Sequence, residues 1–432
     1  MDAIANTVLA APPETTPRLL TTGGGTESLA AYRAGGGYAP LTDPARLLAQ
    51  VTESGLRGRG GAGFPLGAKL HSVRRRTRPG TRPVVVANGE EGEPASAKDR
   101  WLLRRRPHLV LDGLRLAAAV LDADRMIVYV SDSRAADAVA AALAESAGAP
   151  AAPAPVEIVV VAPGYVAGEE TAAVRAIDGG PATPTDKPPR PYAAGVGGRP
   201  TLISNVETLA HLAWIHRHGA EAFRAVGTAD SPGTFLATVT GADRGAAIYE
   251  LPHGFSMREL LALHGVAPER IRGALLGGYF NGLTGRRILD GHLDHERLRA
   301  MGTGLGCGAI ALIGEQECPV AVAASVLAYF DRENAGQCGS CFNGTAAMSA
   351  VASALRDGVA DEADLARLRR WSMVLRGRGA CGTLDAATNT ARTLLDEFPE
   401  AVTRHRDGSC AVCAATPFTA LRPFEVEAMT AI

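Results

Sequence analysis

The chain has 432 residues, with 44 basic and 45 acidic side chains and a formal net charge of -1. At ~150 residues per domain, this length predicts about three domains with room for a large core. The balanced charge argues against electrostatic binding to nucleic acid or to an anionic membrane. No apolar run reaches the ~18–20 residues that a membrane-spanning helix needs, so we expect no direct membrane insertion.

The N-terminus and the cysteines indicate a cytoplasmic protein. The first twenty residues lack a basic segment followed by an apolar segment, so a secretory signal is not expected. All 7 cysteines lie at or after Cys307. An odd, clustered set of cysteines is typical of a cytosolic metal or redox site and not of a disulfide framework.

The first half of the chain predicts an open α/β sheet. Residues 1–40 are rich in Ala, Gly, Pro and Thr and are interpreted as a mobile N-terminal arm. From 41 to 230, short β-branched runs alternate with helical stretches, a βαβ pattern. The runs at 83–87, 125–131 and 156–162 predict strands buried on both faces, as in a parallel sheet.

The second half predicts three further regions. Residues 231–315 show strand, strand, helix and strand segments, which suit a small β-grasp module. Residues 316–398 are mostly amphipathic helical segments and predict a helical bundle. Residues 399–432 form a tail that carries the sequence HRDGSCAVC.

The first chemical motif is GLRGRGGAGFPLGAKL at 55–70. Its glycines allow close approach of the backbone to a ligand, and successive N–H groups there can bind an anion. Lys69 follows at a predicted helix start, where an ammonium group can meet a phosphate. Only three of the 44 basic residues are lysines, namely Lys69, Lys98 and Lys187. All three lie in motifs, which indicates sites that need a compact cation.

Two acidic motifs follow predicted strands. Glu90, Glu91 and Glu93 are three carboxylates in four residues, placed where ligands bind in open α/β sheets. Such a cluster is costly unless it binds something or faces water, and it can accept hydrogen bonds from a polar heterocycle and hydroxyl groups. The next motif contains Gly168, Glu169 and Glu170, followed by Lys187 and by the polar residues Asn205 and Thr208.

Two groups of cysteines predict metal binding. Cys338 and Cys341 form a C-x-x-C pair in a glycine-rich turn, and Cys381 follows 40 residues later. This spacing is typical of zinc sites or iron–sulfur clusters. In the tail, His405, Cys410 and Cys413 match either most of a zinc site or an unstructured tail. Cys307 and Cys318 stand alone and are interpreted as structural.

Together these motifs resemble the NADH-binding flavin subunit of respiratory complex I and its soluble relatives in hydrogenases, formate dehydrogenases and electron-bifurcating enzymes. The segments GLRGRGGAGFP, NGEEGEPASAKDR, GEETA, KPP and GRPTLISNVETLA follow the family pattern in order, within about residues 50–400. The resemblance implies an α/β fold with a Rossmann-like flavin domain, a β-grasp module and a C-terminal helical bundle that holds a [4Fe-4S] cluster. It also implies that the cofactors are FMN and NAD(H) or NADP(H).

The resemblance assigns roles to residues by their place in these segments. Those implied to bind FMN are Gly58, Arg59, Gly60, Gly61, Gly63, Lys69, Asn88, Glu90, Glu91, Gly168, Glu169, Ser204, Asn205 and Thr208. Those implied to face the nicotinamide nucleotide are Phe64, Glu93, Tyr165, Glu170, Lys187 and Arg190. Those implied to ligate the cluster are Cys338, Cys341 and Cys381.

The chain also departs from the family pattern. Glu90 stands where the family usually has Asp, and Ser204 where it has Asn. Ser72 and Arg190 replace two aromatic residues that normally stack on the nucleotide, and stacking is worth ~0.5–1.5 kcal/mol per pair. Arg190 can pair with a 2′-phosphate, whereas the carboxylate of Glu170 repels one. We expect NADH to be preferred, with NADPH open as the alternative.

The largest departure concerns the cluster. Ala335 replaces the first of four family cysteines, so the expected product is a [4Fe-4S] cluster with one open iron or a [3Fe-4S] cluster. Glu333, Asn334 or water are candidate oxygen ligands for the fourth iron, and Cys410 or Cys413 are candidates if the tail folds back.

The functional hypothesis is an FMN-dependent oxidoreductase subunit that takes a hydride from NAD(P)H and passes single electrons through an iron–sulfur cluster to a partner protein. The expected partner is a ferredoxin or an iron–sulfur subunit, with the chain part of an oligomer or complex. One alternative is a stand-alone NAD(P)H:ferredoxin reductase. The other, raised by Ala335, Ser72 and Arg190, is a degenerate scaffold subunit without redox function.

Overall fold

The computed structural model describes residues 8–21, 25–147, 155–408 and 410–426. Within these ranges there are ten strands: β1 Val8–Ala10, β2 Val84–Asn88, β3 Arg125–Val130, β4 Val156–Val160, β5 Thr201–Asn205, β6 Thr234–Gly241, β7 Arg244–Pro252, β8 Ile271–Leu276, β9 Leu283–Gly285 and β10 Ala309–Gly314.

Helices surround the strands and form most of the C-terminal third. Their bounds are α1 Leu29–Ala34, α2 Pro44–Ser54, α3 Leu66–Arg76, α4 Lys98–Arg105, α5 Pro107–Leu121, α6 Ser133–Ser146, α7 Glu170–Ile177, α8 Val206–Arg224, α9 Met257–His264, α10 His295–Ala300, α11 Pro319–Glu333, α12 Gly339–Arg356, α13 Glu362–Val374, α14 Thr383–Glu397, α15 Pro399–Arg406 and α16 Ala411–Ala415. No described helix is both long and apolar enough to cross a bilayer.

The first sheet is four-stranded, with the order β4-β3-β2-β5, and every pair in it is parallel. Side chains alternate along β2: Val85 and Ala87 join the core that contains α5 and α8, whereas Val84 and Val86 pack toward α7. Because both faces are covered, the central strands consist of continuous apolar residues. This sheet confirms the expected α/β class.

The edge strand β4 differs from the expectation that each run is buried on both faces. Its residues are only partly buried, and the Val160 side chain is 54% exposed. The reason is topological, since β4 has only β3 as a neighbour and lies at the end of the sheet.

The second sheet is mixed and six-stranded, with the order β1-β7-β6-β10-β8-β9. Pairs β6–β7, β8–β10 and β8–β9 are antiparallel, and β1–β7 and β6–β10 are parallel. One face packs against α9, and the other side meets the C-terminal helices α11, α12 and α14 in a shared apolar core. This arrangement places the helices beside the loops that follow β8 and β9.

The N-terminal segment is not a mobile arm where the structure describes it. Strand β1 pairs in parallel with β7. The backbone N–H groups of Arg18, Leu19 and Leu20 donate to the buried carboxylate of Glu250 at 2.9–3.0 Å. Tyr32 is buried and donates to Asp112 at 2.8 Å. The first seven residues and residues 22–24 lie outside the described ranges.

Candidate functional site

The candidate site lies at the carboxyl edge of the parallel sheet. Asn88 ends β2 and Asn205 ends β5, and the two residues are paired in register. Asn88 Nδ2 donates to the Gly168 carbonyl at 2.8 Å, which ties the loop after β2 to the loop after β4. Asn205 caps α8 by accepting from Glu207 N–H at 3.0 Å. Parallel strands therefore bring the predicted motifs to one edge, where ligands bind in open α/β folds.

The glycine-rich loop crosses this edge and is held at both ends. Gly58 N–H donates to the Phe64 carbonyl at 2.9 Å, and Arg59 N–H donates to Thr208 Oγ1 at 2.9 Å. Gly61 and Gly63 have φ values of 117° and 63°, in the region that favours glycine. The loop is therefore fixed and exposes backbone to the site.

Two adjoining cavities, of about 580 and 700 Å³, occupy the edge. The walls of both include Gly60, Ala62, Asn88, Gly168, Glu169 and Asn205. The smaller cavity adds the predicted residues Gly61, Glu90, Glu91, Glu93, Tyr165 and Cys381. The larger cavity adds Gly58, Gly63, Phe64, Lys69, Glu170, Lys187, Arg190, Ser204 and Thr208, and it also includes Ser72.

Arg59 is the predicted FMN residue whose side chain lies outside the walls of both cavities. Its guanidinium is buried in the protein, where it donates to the Thr234 carbonyl at 2.9 Å and lies 3.7 Å from Glu207. In this position the Arg59 side chain links the glycine-rich loop to the start of β6 and to α8, and its implied role in binding FMN stays a prediction.

The three clustered carboxylates have different environments. Both oxygens of Glu91 are occupied, by Ser96 at 2.5 Å and by the Arg100 backbone and side chain at 3.1 Å. Glu93 accepts from Tyr279 N–H at 3.0 Å. Glu90 is buried and neither of its oxygens has a protein partner. Burial raises the pKa of Glu90 and of Glu93 to about 8. Glu90 is thus a buried carboxyl group at the cavity wall that can form hydrogen bonds with a ligand.

The raised pKa of Glu90 predicts a pH-dependent stability. A carboxyl that is more easily protonated in the folded state stabilises below its unfolded pKa, and this stabilisation is lost as the pH rises through about 8. Glu90→Gln should therefore reduce the fall in unfolding free energy between about pH 5 and 8 by roughly 2–4 kcal/mol. Urea denaturation at the two pH values measures this. Glu53→Gln, at an exposed carboxylate, is the control, and an unchanged slope in Glu90→Gln contradicts the prediction.

Two ion pairs lie on the wall of the larger cavity. Glu169 Oε2 caps α7 through Thr171 N–H at 2.8 Å, while Oε1 pairs with Lys187 Nζ at 2.5 Å. Arg190 pairs with Glu170 at 3.2 Å. Lys69 Nζ donates to the Ile203 carbonyl at 2.7 Å, and burial lowers its pKa. Lys187 and Arg190 were predicted to contact a ligand, and so were Glu169 and Glu170. In the structure these cations and carboxylates also form ion pairs with each other.

Lys98, the remaining lysine, is fully buried and lies outside the cavity walls. Its ammonium bridges Asp99 at 2.7 Å and Glu207 at 2.9 Å. Asp99 in turn accepts from Asn205 Nδ2 at 2.6 Å. Lys98 therefore acts indirectly, by holding the polar network that positions Asn205.

Cys338, Cys341 and Cys381 lie together at the start of α12 and before α14. Ala380 N–H points to Cys338 Sγ at 3.5 Å. Burial, followed by the neighbouring Cys381 and Cys338 thiols, raises the pKa of Cys341 to about 12. The three thiols do not fall within the 4.8 Å grouping found for a single-ion site elsewhere in the described chain. Three cysteine thiols brought together in this way can serve as ligands of an iron–sulfur cluster.

The expected oxygen ligands for a fourth iron are mostly committed elsewhere. Asn334 donates to the Asp331 carbonyl at 2.6 Å, and its oxygen accepts from Gly336 N–H at 2.9 Å. Glu333 accepts from Tyr165 N–H at 3.4 Å. Cys410 and Cys413 form a separate group, so the idea that the tail completes the cluster is wrong.

That separate group corrects the interpretation of Cys318 as an isolated structural residue. Ligand atoms of Cys318, His405, Cys410 and Cys413 all lie within 4.8 Å of one another. Cys318 Sγ is 3.0 Å from His405 Nε2 and 3.8 Å from Cys410 Sγ. His405 Nδ1 lies 3.0 Å from the Arg356 carbonyl, which directs Nε2 toward the sulfurs. Three cysteines and one histidine in this geometry fit a tetrahedral zinc ion.

Several residues of the smaller cavity had no motif to reveal them. They lie in α10 and in the segments that connect β8, β9 and β10, and include Phe280, His295, Arg299, Thr303 and Cys307. Cys307 Sγ donates to the Gly277 carbonyl at 3.7 Å, so it is a wall residue as well as a structural one. The one sequence feature that could have indicated this part of the wall is the double glycine at 277–278. A Cβ on Gly278 would lie 2.3 Å from the Glu93 carboxylate, so a small residue leaves space for Glu93 there.

Two family models match the chain: the Nuo51 FMN-binding domain over residues 51–214, and the NADH-ubiquinone oxidoreductase-F iron-sulfur binding region over residues 321–405. The chain is 33% identical over 390 residues to an NADH-quinone oxidoreductase subunit of Rhizobium meliloti, covering 86% of this chain and 92% of the relative. The chain belongs to this family of flavin subunits. The resemblance inferred from the motifs is confirmed.

Two further matches extend the range of relatives. The chain is 30% identical over 420 residues to the NADP-reducing hydrogenase subunit HndC of Solidesulfovibrio fructosivorans, covering 93% of this chain and 85% of the relative. A crystal structure of an NAD+-reducing [NiFe]-hydrogenase in the H2-reduced state superposes with a TM-score of 0.76 at 31% identity. The match covers 84% of this chain and 63% of the hydrogenase chain. The mixed α/β fold with parallel and mixed sheets is therefore shared.

Proposed function

We propose that this chain is an NAD(P)H-oxidising flavoprotein subunit that holds FMN at the sheet edge and passes electrons to a partner through an iron–sulfur cluster. The observation that carries the proposal is the smaller cavity, whose wall includes both Glu90 and Cys381. FMN residues and a cluster ligand thus face one enclosed space. When bound, FMN supplies the chemistry that converts a hydride donor into a source of single electrons.

The residues at the edge fit FMN. The buried carboxyl of Glu90 and the side-chain amides of Asn88 and Asn205, which end adjacent strands in register, line the cavities and suit a polar heterocycle and hydroxyl groups. The N–H groups of the glycine-rich loop, with Lys69 at the wall, suit a phosphate. A Cβ on Gly60 would lie 3.1 Å from Asn205, so the close approach of loop and strand requires glycine there.

The finer architecture follows from this placement. We infer that the four-stranded sheet and its helices form a Rossmann-like flavin domain, that the six-stranded sheet contains a β-grasp module, and that α11–α15 form the cluster-binding bundle. The side-by-side placement of the sheets supports this, because the smaller cavity is lined by residues from all three regions, such as Asn88, His295 and Cys381.

The proposal is tested with anaerobically purified protein. We expect bound flavin, visible in the absorption spectrum, and bleaching of that absorption by NADH. A protein that binds no FMN on reconstitution contradicts the proposal and supports the scaffold alternative. Electron transfer to added ferredoxin without any other subunit favours a stand-alone reductase over a component of a larger complex.

The Glu170–Arg190 pair predicts the nucleotide preference. We expect NADH to be favoured, because Glu170 repels a 2′-phosphate, with Arg190 partly offsetting that repulsion. Arg190→Ala should lower the rate of flavin reduction by NADPH about fivefold relative to NADH, as expected for ~1 kcal/mol from an exposed charge. Stopped-flow reduction with each donor measures this, with Arg78→Ala as the control. A wild-type preference for NADPH that Arg190→Phe abolishes would contradict the prediction.

A further inference from the structure

The last described residues of the chain run from the zinc-type site to the loop that carries Glu93, on the wall of the smaller cavity. We call residues 416–426 the tail strap; it begins after α16, three residues beyond Cys413. Much of the strap is exposed, and Leu421 is 72% exposed. Phe418 and Phe424 are partly buried against the C-terminal core, so the strap follows the surface of the protein between its two ends.

The far end of the strap is attached to the loop that carries Glu93. Val426 N–H donates to the Pro94 carbonyl at 3.0 Å, and the Val426 side chain is 2% exposed in the main core. Pro94 directly follows Glu93 in the chain. The strap therefore forms part of the support beneath Glu93.

The middle of the strap reaches Glu93 by a second route. The Tyr279 hydroxyl donates to the Pro423 carbonyl, and Tyr279 N–H donates to Glu93 Oε2 at 3.0 Å. The Arg332 guanidinium donates to the Leu421 carbonyl. Phe418 and Phe424 pack against each other, with ring centroids 5.7 Å apart. Both supports of Glu93, Pro94 and Tyr279, thus contact the same strap.

At its near end the strap is fixed by the Cys318, His405, Cys410 and Cys413 group. Helix α16 has only five residues, and Cys410, Val412 and Cys413 are partly buried where they pack against the C-terminal core. A metal ion bound to all four ligands would join this helix to α11 and α15, which carry Cys318 and His405.

We propose that metal binding at this group positions Glu93 through the tail strap and so sets the affinity for the nicotinamide nucleotide, without holding FMN. The proposal rests on the proposed function of the flavin site and on the zinc-type ligand set. In this arrangement Glu93 is a binding residue, and the four metal ligands, Val426 and the backbone of the strap position it.

The test compares three full-length variants with the wild type, each reconstituted with FMN. Cys413→Ser removes one metal ligand. Val426→Asp places a charge in the buried far end and leaves the metal ligands intact. Leu421→Ala, which changes an exposed strap side chain, is the matched control. Zinc content, FMN content and the KM and kcat for NADH are measured for each, together with the Kd for NAD+.

We expect wild type and Leu421→Ala to hold one zinc per chain, and Cys413→Ser to lose it. Cys413→Ser and Val426→Asp should both raise KM and Kd about tenfold, as for one lost hydrogen bond, with FMN retained and kcat nearly unchanged. Val426→Asp should keep its zinc. This split between KM and kcat would not arise from general loss of folded protein.

The outcomes separate the proposals. A zinc-free Cys413→Ser or a zinc-loaded Val426→Asp with wild-type nucleotide affinity overturns the coupling. Wild-type protein without zinc overturns the metal site on which the coupling rests. Protein without FMN overturns the proposed function. If Cys413→Ser does not fold, the test uses Val426→Asp and the Kd of wild type for NAD+ before and after zinc chelation. An unchanged Kd in both overturns the coupling.

Discussion

Ala335→Cys should convert an air-sensitive iron–sulfur site into a stable one. Three cysteines hold three irons, and a fourth iron without a protein thiolate is the first to be lost on oxidation. Ala335 lies between Asn334 and the Cys338–Cys341 turn, at the position where the resemblance implies a fourth cysteine. We expect iron retained after exposure to air to rise from about three to about four per chain in the variant.

The measurements are iron and sulfide analysis together with paramagnetic resonance before and after reduction. An oxidised signal in the isolated wild type indicates three irons, and a signal only after reduction indicates four. Asn334→Ala is a useful companion, because the Asn334 oxygen is already hydrogen-bonded to Gly336 and should not be an iron ligand. Its iron content should equal that of the wild type.

Cys381→Ala is the loss-of-function counterpart. With two thiolates left, the cluster should be absent, while FMN remains bound, because Cys381 is not part of the wall of the larger cavity that includes the glycine-rich loop and Lys69. If anaerobic wild type carries no iron and Ala335→Cys adds none, the cluster assignment is wrong, and electrons must leave directly from the flavin.

The strands and motifs of the first half were predictable because their signals are local. The β-branched run at 83–87 became β2, and Asn88, Glu90 and Gly168 follow strands whose carboxyl ends meet at one edge. Residue type and position along a strand were sufficient, since parallel pairing fixes where those ends meet. The amphipathic pattern at 319–334 likewise became α11.

Order that depends on distant partners was not predictable. Residues 18–20 belong to the segment that was predicted to be a mobile arm. They are ordered because their backbone N–H groups donate to the Glu250 carboxylate, about 230 positions away. The role of Cys318 as a metal ligand was not predictable for the same reason. It lies 87 positions before His405, and no short ligand motif includes it. His295 lines the smaller cavity because tertiary packing places α10 beside it. In each case the stabilising contact is made by tertiary structure and leaves no periodicity in the sequence.

Gly92→Ala should weaken FMN binding by separating the two loops that form the site. Gly92 lies between the clustered carboxylates, and a Cβ there would lie 2.7 Å from the Gly164 carbonyl oxygen and 2.9 Å from that of Tyr165. Both are backbone atoms, so relief requires the loop after β2 to move away from the loop after β4. That movement displaces Glu90 and Glu93 together and also strains the Asn88–Gly168 hydrogen bond.

The expected cost is ~1–3 kcal/mol, typical of an inserted methyl group in a packed site, and it falls mainly on the bound state that needs both loops in contact. FMN affinity should therefore fall by about one order of magnitude or more. Gly164→Ala is the matched control on the facing loop, since its Cβ would meet nothing nearer than Ala167 Cβ at 4.0 Å. Flavin fluorescence titration of the apoprotein measures the affinity, and circular dichroism verifies the fold. Equal FMN affinity in the two variants would show that the loop contact does not shape the flavin site.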